Sequence, residues 1–266
     1  MLTSTRSAHV ARLRRLHERK GRQQSGTFLA EGPDCVAAAI AAGWVREVVS
    51  VPGHALAEQA GAAGIGVHQA DDRVVSAICD AANPQGILAE CAIPSTHLQD
   101  VVSATGPLVI CDGLADPGNL GTIVRTAEAV GAAGVITTRG SVDAWNPKVV
   151  RASAGSIFRV PVVQVAHATE AVAAVQAAGW TVVALTADAD ATVFDVIEHG
   201  REHGAAPDRW AWLVGSEAHG VSAEALTDSA LRARIPMRSS VESLNAAISV
   251  AICLYLAEGR RGTDGT

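Results

Sequence analysis

Aromatic residues are scarce, at 3% of the 266-residue chain, with three Phe, five Trp and one Tyr. Hydrophobic residues nevertheless reach 48%. The apolar mass is therefore mostly Ala and Val, which predicts cores of small side chains and close backbone approach. Lysine is nearly absent too, since Lys20 and Lys148 are the only lysines among 21 Lys and Arg residues. Most positive charge is guanidinium, which can bind phosphate in bidentate fashion. Cys35, Cys79, Cys91, Cys111 and Cys253 are scattered, odd in number and without a CxxC pair. That argues against a disulfide framework or a zinc site and for a reducing, cytoplasmic location. No HExxH spacing occurs, and no metal is expected. The basic N-terminus has no apolar segment of the secretory type. The longest apolar run, Ala246 to Ala257, is too short to span a bilayer and reads as a buried helix, so no membrane partner is expected.

A chain of this length allows one large domain or two of ordinary size. Its formal charge of −6 would argue against a nucleic-acid partner, but the charge is unevenly spread. Residues 1–25 hold seven basic side chains against Glu18 alone, so the remainder carries an excess of twelve negative charges. Arg12, Arg15, Arg19, Lys20 and Arg22 make this stretch a candidate phosphate footprint. A solvated helix face is the competing reading.

Val10, Leu13 and Leu16 recur at helical spacing, which predicts one basic helix over residues 8–22. Strands are expected at 27–32, 44–51, 65–69 and 86–93, with helices at 33–40, 55–63 and 73–80 between them. This alternation predicts a small α/β domain over residues 1–94. The polar stretch 95–106 reads as a linker. A second alternation fills 107–266. Strands are expected at 108–113, 134–138, 161–165, 181–187, 211–215 and 231–235. Helices are expected at 119–130, 148–156 and 243–259, with another ending at Ala178. Apolar strands alternating with helices imply a mostly parallel sheet.

Three stretches of this second half carry polar groups that a plain core would not need. In DPGNLGTIVRT (Asp116 to Thr126), Asn119 can cap a helix whose apolar face is Leu120, Ile123, Val124 and Ala127. Arg125 lies off that face. In WLVGSEAHGVS (Trp212 to Ser222), Gly215 ends a buried strand and Glu217 follows. Loops at the carboxyl ends of parallel strands are where ligands bind in α/β folds. A glycine there would let an adenosine-like group lie against the backbone, and Glu217 could orient a ribose. In IPMRSSVESLNAAIS (Ile235 to Ser249), Ser243 can cap a helix with Leu244, Ala247, Ile248, Ala251 and Tyr255 as its buried stripe. Asn245 offers both a donor and an acceptor. Each stretch alone also reads as an ordinary capped junction.

Together, NxGxxxR, GxExxG and SLN in this order resemble the three motifs of the SpoU family of RNA ribose 2′-O-methyltransferases, in the SPOUT superfamily. The resemblance covers Leu108 to Arg261. RASAGSIFRVPV (Arg151 to Val162) also resembles a family segment. The stretch RRLHERKGRQQSGTFLAEG resembles the family's ribosomal-protein-L30e-like RNA-binding domain, in the subgroup that modifies 23S rRNA and includes the thiostrepton-resistance methyltransferases. Ala246 departs from the family, which often has Val there.

The resemblance implies an α/β fold in which a trefoil-knotted SPOUT domain with a parallel sheet follows the small L30e-like domain. It also implies a homodimer with composite active sites. S-adenosylmethionine would lie bent in the knot against Gly215, Ile235 and Leu244, with Thr137, Met237 and Asn245 around it. The arginine matching Arg125 is the family's suggested base, with Asn119, Glu217, Ser243 and Asn245 orienting the reactants. Arg151 becomes a further candidate phosphate contact. An arginine is effectively always protonated, so a second role open to Arg125 is to hold the target phosphate while that phosphate takes the proton. Three alternatives stand beside this reading. One is a methyltransferase acting on tRNA. Another is a non-catalytic rRNA-binding or ribosome-assembly protein. The third, a dinucleotide-dependent dehydrogenase, is disfavoured because GAAGIG (Gly61 to Gly66) has the wrong spacing.

Overall fold

The computed structural model describes residues 1–202, 209–241 and 243–258. Two compact units emerge, Met1–Ser95 with Asp143–Arg159, and Thr96–Val142 with Val160 onward. None of the described helices is long and apolar enough to cross a membrane.

In the first unit, β1 (Thr27–Glu31), β2 (Val45–Ser50), β3 (Gly66–Gln69) and β4 (Ile87–Ala92) form a sheet in the order β1-β4-β2-β3. β4 runs antiparallel to both its neighbours, while β2 and β3 are parallel. Val10, Leu13 and Leu16 pack with Leu29, Val49, Val75, Ile78 and Leu88, so their helical spacing was a true core signal.

The single basic helix expected over residues 8–22 is a correction. The helix Ala8–Arg14 passes into a 3-10 turn, Arg15–His17. Glu18 is then extended, and a new helix runs Arg19–Ser25. The break folds the second helix back on the 3-10 turn, so closely that a Cβ on Gly21 would stand 2.0 Å from the Arg15 carbonyl oxygen. It also turns Arg22 inward. Arg22 is 2% exposed. Its Nε and Nη2 donate to Asp143 Oδ2 at 2.8 and 2.6 Å, and Nη1 donates to the Leu16 and His17 carbonyls.

Asp143 belongs to a segment that the chain order placed in the second domain. Asp143–Arg159 packs instead in the first unit, because the scarce aromatic residues converge there. The Phe28 ring lies 5.0 Å from Trp145 and 5.9 Å from Phe158, and Trp44 lies 5.4 Å from Phe158.

In the second unit, β5 (Leu108–Asp112), β6 (Gly134–Thr138), β7 (Val162–Val165), β8 (Thr181–Leu185), β9 (Trp210–Gly215) and β10 (Leu231–Ala233) form one sheet in the order β10-β8-β9-β5-β6-β7. Every pairing is parallel, and β6 and β9 are buried along their whole length. The largely apolar strand runs follow from this. Chain order reverses between β5 and β9, which opens a crevice at the strands' carboxyl ends.

Three helices were not foreseen. Leu98–Val102 lies inside the expected linker and buries Val101 and Val102. Val193–Glu202 and Ala223–Asp228 are the others. The last helix starts at Ala246 rather than Ser243. Its expected end, Gly259, lies outside the described residues.

Replacing a buried, ion-paired arginine leaves a carboxylate unpaired, at a cost of about 3–5 kcal/mol. Arg22→Ala is therefore expected to lower unfolding free energy by about that amount in chemical denaturation. A change within about 0.5 kcal/mol, typical of surface sites, would show that the pair is not structural.

Candidate functional site

The three polar stretches converge on one hydrogen-bonded bridge. The helix Pro117–Ala129 begins after Asp116, whose side chain accepts from the Asn119 N–H at 2.7 Å. Asp116 is therefore the cap, and the expectation that Asn119 caps is corrected. This frees the Asn119 amide, which is 8% exposed. Its Nδ2 donates to Glu217 Oε1. Its Oδ1 accepts from Asn245 Nδ2 at 2.8 Å. One amide thus joins the loop after β5, the loop after β9 and the start of the last helix.

Asn245 holds two positions at once. Its Oδ1 accepts from the backbone N–H of Ala247 at 2.9 Å and of Ile248 at 3.2 Å, so it caps the helix Ala246–Glu258. That corrects the assignment of the cap to Ser243. The buried face of this helix also differs from expectation. Ala246, Ala247, Val250, Cys253, Leu254 and Ala257 are buried, whereas Ile248 and Tyr255 are 50% and 58% exposed. The run is apolar all round, so its pattern could not say which side faces the core.

The loop after β9 closes on itself. Ser216 and Gly220 exchange backbone hydrogen bonds at 3.1 and 2.9 Å. A Cβ on Gly215 would lie 1.9 Å from the Gly220 carbonyl carbon, so glycine is required there by the loop's own backbone. Asp112, at the end of β5, ties this loop down. Its Oδ2 accepts from the Ser222 N–H at 2.9 Å and its Oδ1 from Thr138 Oγ1 at 3.1 Å.

Beside the bridge lies a cleft of about 470 Å³ at the carboxyl ends of β8, β9 and β10. Gly215, Ile235, Met237, Leu244 and Asn245 line it, as do Glu217 and Ser243. Sequence reading missed Thr186, Asp188, His219 and Arg234 in its walls. Their shared feature is a place beyond a strand end, but only the sheet order brings β8 next to β9. Thr137 is a correction, because it is buried in β6, donates to the Val163 carbonyl at 3.4 Å and does not line the cleft.

Arg125 is exposed and not among the lining residues. It lies six positions beyond Asn119, about 9 Å along the helix axis and turned away by about 120°. The nearby thiol of Cys111 is pushed up to about 12, first by burial and then by the charges of Asp112 and Glu217. Cys111 is fully buried and does not line the cleft.

The candidate phosphate contacts of the first unit divide sharply. Arg22 is buried and committed to Asp143, as described. Arg12 donates at 2.6 Å to both Glu47 and Glu90. Burial pushes the Glu90 carboxyl up, but hydrogen bonds from Arg12 and Thr27 outweigh it and hold it below the usual range. Arg151 donates to Glu31 at 3.0 Å and Asp80 at 3.1 Å. For these three arginines the expected phosphate role is corrected, since carboxylates already occupy the guanidinium forks. Arg15, Arg19 and Lys20 remain exposed on the surface.

Residues 106–255 match the SpoU rRNA Methylase family and residues 7–89 the MRM3-like substrate binding domain. The chain is 29% identical to the 23S rRNA (guanosine(2553)-2′-O)-methyltransferase of Bacillus subtilis, over 97% of this chain and 99% of that one. It is also similar to an AdoMet-bound rRNA methyltransferase from Sinorhizobium meliloti, with TM-score 0.85, 30% identity and coverage of 99% and 98% of the two chains. The AdoMet complex of the SpoU methyltransferase AviRb from Streptomyces viridochromogenes gives TM-score 0.85 at 28% identity, covering 98% of this chain and all of that one.

Gly215→Ala is expected to displace the loop after β9 and destabilise the second unit by about 1–3 kcal/mol. Denaturation curves check this, and an unchanged midpoint would mean that the loop opens without cost.

Proposed function

Because the chain belongs to the SpoU rRNA methylase family, we propose that it transfers a methyl group from S-adenosylmethionine to a ribose 2′-hydroxyl of 23S rRNA. The observation that carries this reading is the Glu217–Asn119–Asn245 bridge, which ties all three motif stretches together at the rim of one cleft. A purely RNA-binding protein has no need of that assembly. The rRNA relatives and the MRM3-like substrate binding domain favour rRNA over tRNA.

The cleft suits S-adenosylmethionine. Its volume lies in the range of small-ligand sites. Val214, Ala233, Leu244 and Ala246 give apolar walls for an adenine ring, while Asp188, Glu217 and Asn245 offer polar partners for a ribose. Backbone near Gly215, Ile235 and Leu244 would hold the molecule bent, as in the trefoil-knotted arrangement that the family resemblance implies. When bound, it supplies a methyl carbon already activated by its sulfonium, so the protein needs no metal for this step.

The chain's own residues then have two tasks, alignment and removal of one proton. Asn119 fixes the rotamers of Glu217 and Asn245, so their remaining polar atoms point in set directions. Arg125 holds the target phosphate and stabilises the developing alkoxide, with the phosphate taking the proton. Exposed Arg15, Arg19 and Lys20 supply phosphate contacts on the first unit.

Arg125 would reach a cleft from the second copy of a homodimer. Exposed Ile248 and Tyr255 favour this, because they leave an apolar face on the last helix beside the helix that carries Arg125. Composite sites follow, each with the cleft of one protomer and Arg125 of its partner.

Arg125→Ala is expected to abolish transfer from labelled S-adenosylmethionine to unmodified 23S rRNA while leaving cofactor affinity unchanged. Full turnover in that variant would refute the role. Mixing Arg125→Ala with an inactive Asn245→Ala protein should restore activity, since some mixed dimers contain one intact composite site. If the mixture stays inactive although mixed dimers form, each site belongs to a single chain.

A further inference from the structure

The first unit assembles two imidazoles and a carboxylate from three separate elements. Glu47 stands on β2 and His68 on β3. Val49 pairs with His68 across the strands, so Glu47 and His68 share one face of the sheet, one diagonal step apart. His9 comes from the helix Ala8–Arg14. His9 Nε2 lies 3.1 Å from Glu47 Oε1, and His68 Nε2 lies 3.2 Å from Glu47 Oε2. The ligand atoms of all three residues lie within 4.8 Å of one another. The two imidazole rings are 4.7 Å apart and tilted by 54°, so they converge rather than stack flat.

Two further observations favour a cation over a plain hydrogen-bonded cluster. His9 Nε2 is buried and makes no hydrogen bond, despite its closeness to Glu47. Such an atom is costly unless something else satisfies it. The local charge also suits a cation, because Arg12 faces two carboxylates, Glu47 and Glu90, which leaves an excess of one negative charge. Arg12 takes one lone pair of Glu47 Oε1 at 2.6 Å and orients the carboxylate from outside, as outer partners of metal ligands do.

We propose that His9, Glu47 and His68 bind a divalent transition ion, with zinc as the best match. Zinc takes imidazole nitrogen and carboxylate oxygen at about 2.0–2.2 Å in a tetrahedron, which requires ligand atoms about 3.3 Å apart. His9 stands at that spacing from Glu47 Oε1 and His68 from Oε2, so a turn of the carboxylate together with a shift of the half-exposed His68 side chain, 43% exposed, brings one oxygen to both imidazoles. Water completes the fourth position on the open side. The ion clamps the first helix to the β2–β3 edge of the sheet, so its effect is on the stability of the first unit.

The test uses tag-free, full-length protein stripped with a chelator. Zinc binding is followed by competition with a chromophoric chelator, and thermal unfolding is recorded with and without zinc. Cobalt serves as the spectroscopic probe of a low-coordinate site. One zinc per chain, a higher melting temperature with zinc and intense visible cobalt bands are expected. His68→Gln should weaken zinc binding by about 100-fold or more, since even outer partners cost roughly 10–100-fold. It should change metal-free unfolding far less than zinc binding, because the side chain is half-exposed and its contact with Glu47 is partly solvated. His9→Ala, as a second variant, should remove the zinc-dependent rise in melting temperature. Absence of stoichiometric zinc binding, or equal affinity in wild type and His68→Gln, overturns the proposal and leaves these residues as an ion-pair cluster.

Discussion

The second unit depends on one amide side chain. Asn119 donates to Glu217 and accepts from Asn245, and so joins all three stretches through one side chain. An amide suits this place because it is donor and acceptor at once. Aspartate would offer no donor to Glu217 and would set two carboxylates face to face. The bridge can form only because Asp116 has taken over the capping of the helix, and because Asn245 can serve its own helix with Oδ1 while giving Nδ2 away. Two caps and one bridge therefore share a small set of polar atoms.

This arrangement sits where parallel-sheet geometry provides room. The order β10-β8-β9-β5-β6-β7 places the chain reversal between β9 and β5, and the loops beyond those strands diverge. Asp112 spans the gap from β5 to the loop after β9. The loop itself is tightened by the contact of Gly215 with Gly220. A firm floor and a set of oriented polar groups result, which is what alignment of two reactants needs. In the first unit, charge is used differently. Arg12, Arg22 and Arg151 hold carboxylates rather than standing ready for a polyanion.

The fold was largely legible because its signals are local. Buried parallel strands read as short apolar runs, and those expected at 134–138 and 211–215 match β6 and most of β9. Val10, Leu13 and Leu16 marked a buried face correctly, although the helix through them breaks at Glu18. The helix Leu98–Val102 was hidden by its polar surroundings, and only two valines of its single turn and a half are buried. The last helix misled in its facing because nearly every residue in it is apolar. In the candidate site, the motif residues Asn119, Glu217 and Asn245 were found from their pattern. Asp188, His219 and Arg234 were not, since nothing local sets them apart from ordinary loop residues.

By itself, the sequence determined the alternation of strands and helices, the basic bias of residues 1–25 and the polar residues that no core requires. Those properties depend on period and composition, which a chain displays before it folds. Tertiary structure alone decided which of several possible caps is used, which arginines are buried and which strand ends adjoin. It also brought His9 to Glu47 and His68. The physical reason is competition for partners. A carboxylate, an amide or a guanidinium can satisfy its hydrogen bonds in many ways, and the choice is made by whichever groups the packed backbone leaves within reach.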